Sequence, residues 1–301
     1  MYPTHHSRHS LLALLCWLLF SSVVAFAQSK TISGRLAVND TRLYYEAAGK
    51  GETVVLIHGF ALDNRQWDSQ WSKLNKRYRV IRYDVRGFGQ SARARDPHDP
   101  TDDLKALLDS LGITQTHLVG AGMGANIALH FAARYPQRTL KTVAANTELD
   151  GFEEYTPELS ASLHKAVGII SQQGWHDEQQ EFWLRSPFTR LYAAEDRAVI
   201  RLSEMTADYH GDHLINPRIN PYFGPPHTLE LLPIIQAQTL ILTGSKEEET
   251  FHRMAKVMAE RIPNSATFVI KNAGHLSNLE KSTIFTSTLL HFLKNGIRQT
   301  P

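Results

Sequence analysis

His117-Leu118-Val119-Gly120-Ala121-Gly122-Met123-Gly124-Ala125-Asn126 is the stretch that decides the fold. A short apolar run passes into three alternating glycines and then into helix-forming residues. The spacing matches G-x-S-x-G, where a strand turns sharply into a helix and the central residue stands exposed on the turn. That central residue is ordinarily a serine; here it is Gly122.

Working outward from this turn, apolar runs alternate with helical patterns. Val54-Val55-Leu56-Ile57 reads as a strand buried on both faces, and His58-Gly59-Phe60 follows it directly. Trp67, Trp71 and Leu74 share helical spacing within residues 64–76, which makes Trp67 core or pocket wall. Arg79–Tyr83 is the next strand, and Asp84-Val85-Arg86-Gly87-Phe88-Gly89-Gln90-Ser91 is a glycine-punctuated loop behind it. Thr101 is placed to cap a helix over residues 102–111, with acids in its first turn. A helix follows the central turn to about Tyr135, and 140–145 is another buried strand. On the N-terminal side, Thr41–Glu46 alternates polar and apolar residues as a half-buried edge strand does. Alternating strands and helices predict a parallel sheet with right-handed crossovers.

The pattern changes over 149–232. Helical stretches at 157–171 and 182–208 are separated by turns containing Asn216-Pro217, Asn220-Pro221 and Gly224-Pro225-Pro226. This predicts a helical cap, with Trp175, Phe182, Trp183 and Phe188 either lining its underside or packing within it. His210-Gly211-Asp212-His213 offers too few ligands for a metal and reads as a polar loop. The sheet pattern resumes with Thr239–Thr243, a helix over 250–261, the strand 266–270 and a final helix over 279–294.

Composition narrows the function. The chain has 301 residues, 42% of them hydrophobic, and a formal net charge of +2. With no long basic run, nucleic-acid binding has no electrostatic support. Residues 1–27 read as a cleaved secretory signal. Arg8 precedes the apolar run Leu11–Phe20, and Ala25-Phe26-Ala27 supplies an A-x-A cleavage site. Export to the periplasm or medium is therefore expected, with no transmembrane segment in the mature chain. Cys16, the single cysteine, lies within that signal. A mature chain without thiols excludes disulfides, a cysteine nucleophile and thiolate metal sites.

His58-Gly59-Phe60, residues 84–91, the turn at 120–124, Gly244-Ser245-Lys246-Glu247 and Gly274-His275 occur in that order, each after an expected strand. On these residues the chain resembles the α/β-hydrolase family over nearly all its mature length. The resemblance implies an α/β fold with a mostly parallel central sheet. Its parts would be a core from 28–148 and 233–301 and the cap from 149–232. It implies His275 as general base and Glu247 as the acid that orients it. The usual residue at that position is aspartate, and Glu248 and Glu249 compete for the role. Glu148 or Asp150, after the preceding strand, is the remaining substitute. The backbone amides of Phe60 and Met123 would form the oxyanion hole. His58 and Asp84 correspond to positions that stabilise loops.

By this resemblance the substrates are small esters, lactones or related carbonyl compounds, with no cofactor and no metal. Gly122 removes the serine Oγ while suiting a positive-φ turn. Ser91 and Ser245 sit on nearby loops and read as loop hydrogen bonders. Three accounts follow. The chain is a pseudoenzyme that binds a small molecule or partner. It is an enzyme of reduced or altered activity whose His275–Glu247 pair activates water or abstracts a substrate proton, as a lyase or cofactor-free oxygenase also would. Or it is a nucleophile-knockout form of an active serine hydrolase.

Overall fold

The computed structural model describes residues 30–192 and 195–297; the expected signal at 1–27 lies outside them. Eight strands form one sheet: β1 (Ile32–Val38), β2 (Thr41–Ala48), β3 (Thr53–Ile57), β4 (Arg79–Tyr83), β5 (Thr116–Ala121), β6 (Thr139–Ala145), β7 (Gln238–Gly244) and β8 (Ser265–Ile270). Their order is β1-β2-β4-β3-β5-β6-β7-β8. β2 runs antiparallel to both β1 and β4, and every pairing from β4 to β8 is parallel.

The helices are α1 (Asp68–Leu74), α2 (Pro100–Ser110), α3 (Met123–Arg134), α4 (Pro157–Gln173), α5 (Asp177–Leu184), α6 (Asp196–Asp208), α7 (Asp212–Ile215), α8 (Thr228–Leu231), α9 (Glu249–Arg261), α10 (Ser277–Glu280) and α11 (Ser282–Asn295). This is the α/β-hydrolase architecture: a mostly parallel sheet flanked by helices, with α4–α8 inserted between β6 and β7.

Several local expectations are corrected. β2 is not an edge strand, because β1 pairs along its outer side. Its alternation reflects a half-solvated antiparallel face, which does not require an edge position. Asp99, not Thr101, caps α2: its carboxylate accepts the Thr101 N–H at 2.7 Å, and Pro100 fills the first turn. The single helix expected over 182–208 is two helices. Pro187 lacks an N–H and disfavours helical geometry at Ser186, so α5 ends before it. The last helix likewise breaks at Lys281 into α10 and α11. Asp212 and His213 open α7, and His213 stacks on Phe88 with ring centroids 4.2 Å apart. Among the described residues, no group of three or more His, Cys, Asp or Glu side chains could hold a metal. None of their helices is long and apolar enough to cross a membrane.

The core lies on both faces of β3, β5 and β6. Val54, Leu56, Val119 and Val143 face a cluster that includes Trp67, Leu289 and Phe285. Val55, Ile57 and Leu118 face Ile127 and Phe131 of α3. Burying each large aliphatic side chain contributes roughly 1.5–3 kcal/mol. Trp67 is wholly buried 6.1 Å from the Phe285 ring, so it belongs to this core and does not line the cavity described below.

The turn between β5 and α3 is held by close backbone contacts. A Cβ on Gly124 would lie 2.2 Å from the Ile57 carbonyl oxygen, and one on Gly120 would lie 2.1 Å from the Gly124 carbonyl oxygen. Neither contact can be relieved by turning a side chain. Gly124→Ala should therefore cost about 1–3 kcal/mol or more by overpacking, read as a lower chemical-denaturation midpoint. An unchanged midpoint would contradict this account of the turn.

Candidate active site

Gly122 is the last residue before α3, with φ 54° and ψ −121°. Its N–H donates to the Ala145 carbonyl at 2.9 Å, which ties the turn to the end of β6. Its carbonyl accepts from Ala125 N at 3.0 Å and Glu148 N at 3.4 Å. The turn is thus clamped between its own helix and the loop after β6. Phe60 and Met123 border the same space. Their amide N–H groups make no hydrogen bond within the described residues, so both are free to bind an oxygen.

The Phe60 loop is fixed from beneath. Gly59 N donates to Gln66 Oε1 at 2.8 Å, and Gln66 Nε2 donates to Asn278 Oδ1 at 3.2 Å. Ala61 holds φ 58°, a strained conformation for a residue with a Cβ. His58 is fully buried. Burial lowers its pKa, Val85 N donates to its Nε2 at 2.9 Å, and its Nδ1 donates to Gly59 O at 2.8 Å. Asp84 accepts the N–H groups of Asn64 and Gln90, and burial pushes its carboxyl up to about 7. Both therefore hold loops. Ser91 Oγ donates to Asp84 O, and Ser245 Oγ accepts from Asn272 N; neither hydroxyl belongs to the turn.

His275 follows β8, and its Nδ1 donates to Glu247 Oε1 at 2.6 Å. Glu248 instead caps α9 by accepting Thr250 N, and Glu249 pairs with Arg253 at the surface. The Glu247 carboxylate has no solvent exposure. Its Oε2 accepts from Asn146 Nδ2 at 2.6 Å, Thr243 Oγ1 at 2.8 Å and Gly244 N at 3.3 Å. Burial raises its pKa, but His275 and these donors outweigh that and leave it below the ordinary value.

Asn146 escaped the sequence reading. At φ 48° it sits just past β6, holds Glu247 and Gly274 O through Nδ2, and accepts from Ser277 Oγ through Oδ1. An asparagine directly after a buried strand is the available signal, since asparagine tolerates this backbone conformation.

Glu148 has a placement the spacing did not reveal. Its Oε1 lies 3.8 Å from His275 Nε2, on the side opposite Glu247. Burial lowers the His275 pKa, but hydrogen bonding and charge from Glu148 and Glu247 outweigh it and raise it to about 9. The Phe251 ring, 4.3 Å away, covers one side of the imidazole. At neutral pH this side chain is an imidazolium between two carboxylates. Asp150 is engaged elsewhere, with His227 and Thr228 N.

All of this opens on a cavity of about 410 Å³ between the sheet and the helical insertion. Phe60, Trp183, Phe188, Phe223 and Phe251 supply aromatic wall. Trp183 stacks on Phe188 with centroids 5.6 Å apart. Trp175 does not line the cavity. Its ring packs edge-on against Tyr209 and its Nε1 donates to Thr206 O at 3.2 Å, because it faces inward within the insertion. Glu148 and Asp150 are among the described lining residues, which include no lysine or arginine.

A profile of the α/β hydrolase fold matches residues 52–282. The chain belongs to the α/β-hydrolase family. A 2-hydroxy-6-oxononadienedioate/2-hydroxy-6-oxononatrienedioate hydrolase from Pseudomonas putida is 28% identical over 272 residues, covering 85% of this chain and 93% of that protein. A thermophilic esterase from Thermogutta terrifontis superposes with a TM-score of 0.73 at 24% identity, over 88% of this chain and 99% of that one. The enol-lactonase from Burkholderia xenovorans gives 0.73 at 23%, over 87% and 100%. At these identities the two structures establish the shared fold. In this α/β-hydrolase chain, the turn that orders the family fold carries Gly122 at its centre.

Two outcomes follow from this geometry. The His275 imidazole should titrate near pH 9 by NMR, above its ordinary 6.5. A raised folded-state pKa stabilises the protein fully below about 6.5, and that contribution is lost as pH rises through about 9. Unfolding free energy should accordingly fall across pH 7.5–9, where Asp84, at about 7, has already ionised. In Glu247→Gln both the high midpoint and the slope should shrink. A midpoint below 7 in the unaltered protein would contradict the two-carboxylate environment.

The second outcome concerns Gly122→Ser. Its Cβ would lie 3.3 Å from Glu148 Oε1 and 3.5 Å from His275 Nε2. The positive φ should cost about 1–3 kcal/mol of stability. A folded variant should gain covalent labelling by fluorophosphonate probes, fastest above pH 9 where His275 can accept a proton. The unaltered chain should show no serine adduct, and labelling at Ser91 or Ser245 would overturn that.

Proposed function

We propose that this α/β-hydrolase chain cleaves small, neutral carbonyl compounds, esters or lactones, by direct attack of water and without an acyl-enzyme intermediate. The observation that carries this reading is the arrangement around Gly122. A pair of free amides, a buried His–Glu pair and an apolar cavity meet at a turn whose central residue has no side chain. The amides of Phe60 and Met123 would take the developing oxyanion, an interaction that typically supplies about 10²–10³-fold per donor. Sites of this type keep roughly 10³–10⁴-fold acceleration over water after the triad is removed.

The cavity also bears on substrate choice. The Pseudomonas putida relative is named for a dicarboxylate. Here a substrate carboxylate would face Glu148, with no lysine or arginine among the described lining residues. At close range, like-charge repulsion reaches a few kcal/mol at the protein surface. Export through the signal at 1–27 forms part of the same reading. Arg8, the run Leu11–Phe20 and Ala25-Phe26-Ala27 support it, and a mature N-terminus near Gln28 in protein recovered from an exported fraction would establish it.

Short-chain p-nitrophenyl esters and simple lactones should be hydrolysed without a burst of one product per site. His275→Ala should remove most of the turnover, and a carboxylate-bearing analogue should react at least about tenfold more slowly, equivalent to ~1.4 kcal/mol. Failure to turn over a broad neutral panel, with those compounds still bound, would replace this reading by the pseudoenzyme one. A stoichiometric burst would return it to covalent catalysis.

A further inference from the structure

Glu148 and Glu247 both approach His275, yet they are held differently. Glu247 is sealed, and its oxygens are occupied by His275, Asn146, Thr243 and Gly244 N. Glu148 lines the cavity, about a third exposed, and its carboxylate accepts no hydrogen bond from any other described residue. Its backbone is anchored to the turn, since its N–H donates to Gly122 O. One oxygen is 3.3 Å from the position a Cβ on Gly122 would take and 3.8 Å from His275 Nε2. A carboxylate whose described partner is His275 alone therefore stands beside the space into which a serine side chain would project.

We propose that Glu148 is a second catalytic carboxylate, the general base that takes the proton of the attacking water while His275 serves as the acid. The proposal rests on the hydrolytic reading above. Water over Gly122 is within reach of Glu148 Oε1, as general base catalysis demands. Its oxygen forms a bond to the substrate carbonyl carbon while one proton passes to Glu148. The carbonyl electron pair moves to oxygen and is held by the Phe60 and Met123 amides. Collapse of that oxyanion breaks the bond to the leaving oxygen, which takes the Nε2 proton of His275. The products are a carboxylic acid and an alcohol. Glu148 is left protonated and His275 neutral, and the proton crosses the 3.8 Å gap to restore both. The cycle consumes only water.

In this scheme Glu247 remains a positioning residue. The loss of Oγ is matched by a base that a serine would crowd, because a Cβ at position 122 already presses on Glu148 at 3.3 Å. Among the described residues, the charged or titratable groups around the pair are Glu247 behind His275, Glu280 holding Gly274 N at 2.7 Å, and Asp150, Tyr155 and His213 among the cavity-lining residues, His213 being held neutral by burial. The Tyr155 hydroxyl is raised by burial and by the charges of Glu148 and Asp150, so it stays protonated through the working range.

The test is the pH profile of neutral-ester hydrolysis by the full protein and by Glu148→Gln, Glu148→Ala and His275→Ala. In the unaltered enzyme, kcat should hold through neutral pH and fall as His275 loses its proton. Glu148→Gln should lower kcat about 10²–10⁴-fold, the usual worth of a general base, with KM little changed. Added formate should restore part of the rate to Glu148→Ala, which a structural role for the side chain would not predict. Glu148→Gln with undiminished kcat, in a protein that His275→Ala inactivates, overturns the role of Glu148 and leaves the hydrolytic reading standing. A rate that climbs with pH through the His275 titration also overturns it, because His275 would then be the base. Absence of turnover in the unaltered protein removes both.

Discussion

A carboxylate with no solvent exposure needs compensation for its lost hydration, and that requirement at Glu247 organises the site. Thr243, Gly244, Asn146 and His275 provide it. These partners come from the ends of β6 and β7 and the loop after β8, so satisfying one buried charge draws three loops together. Asn146 extends the network to Gly274 and Ser277. The position of His275 over the turn is a consequence of where Glu247 can be satisfied.

On the other side of His275, the tight turn at Gly122 sets a second boundary. Gly120 and Gly124 let backbone approach backbone, and Gly122 donates to the end of β6. That contact also brings Glu148, three positions beyond β6, against the turn. The imidazole is thus flanked by one carboxylate that is fully occupied and another that faces the cavity. Both favour the imidazolium over the neutral ring, against the opposing effect of burial. The same two carboxylates therefore set the charge environment of the space above Gly122.

Much of the fold was legible because it follows from local pattern. Val54–Ile57 and the run into Gly120 carry the unbroken hydrophobicity of strands covered on both faces. Pro187 and Asp99 redirected the chain through backbone chemistry that periodicity does not register: one removed a donor from a helical run, the other supplied a cap two residues early. β2 read as an edge for a similar reason, since alternation reports which face is wet and not which neighbour is present. Trp67 and Trp175 show the same limit. Large aromatic side chains at helical spacing fit a core as well as a pocket, and only the packing of Phe285 and Tyr209 separates the two.

By itself the sequence determined the alternation of strands and helices that builds the parallel sheet, the sharp turn at 120–124, and the candidacy of His275 and Glu247. These depend on periodicity, on glycine's conformational freedom and on motif spacing, all properties of neighbouring residues. Only the tertiary structure decided which of three consecutive glutamates holds His275 and that Asn146 links the loops. It also placed Glu148 beside Gly122 instead of in the role of the buried acid. Such choices depend on distances between strand ends far apart in the chain, and on which carboxylate burial leaves with no partner but the histidine. No local pattern encodes either quantity.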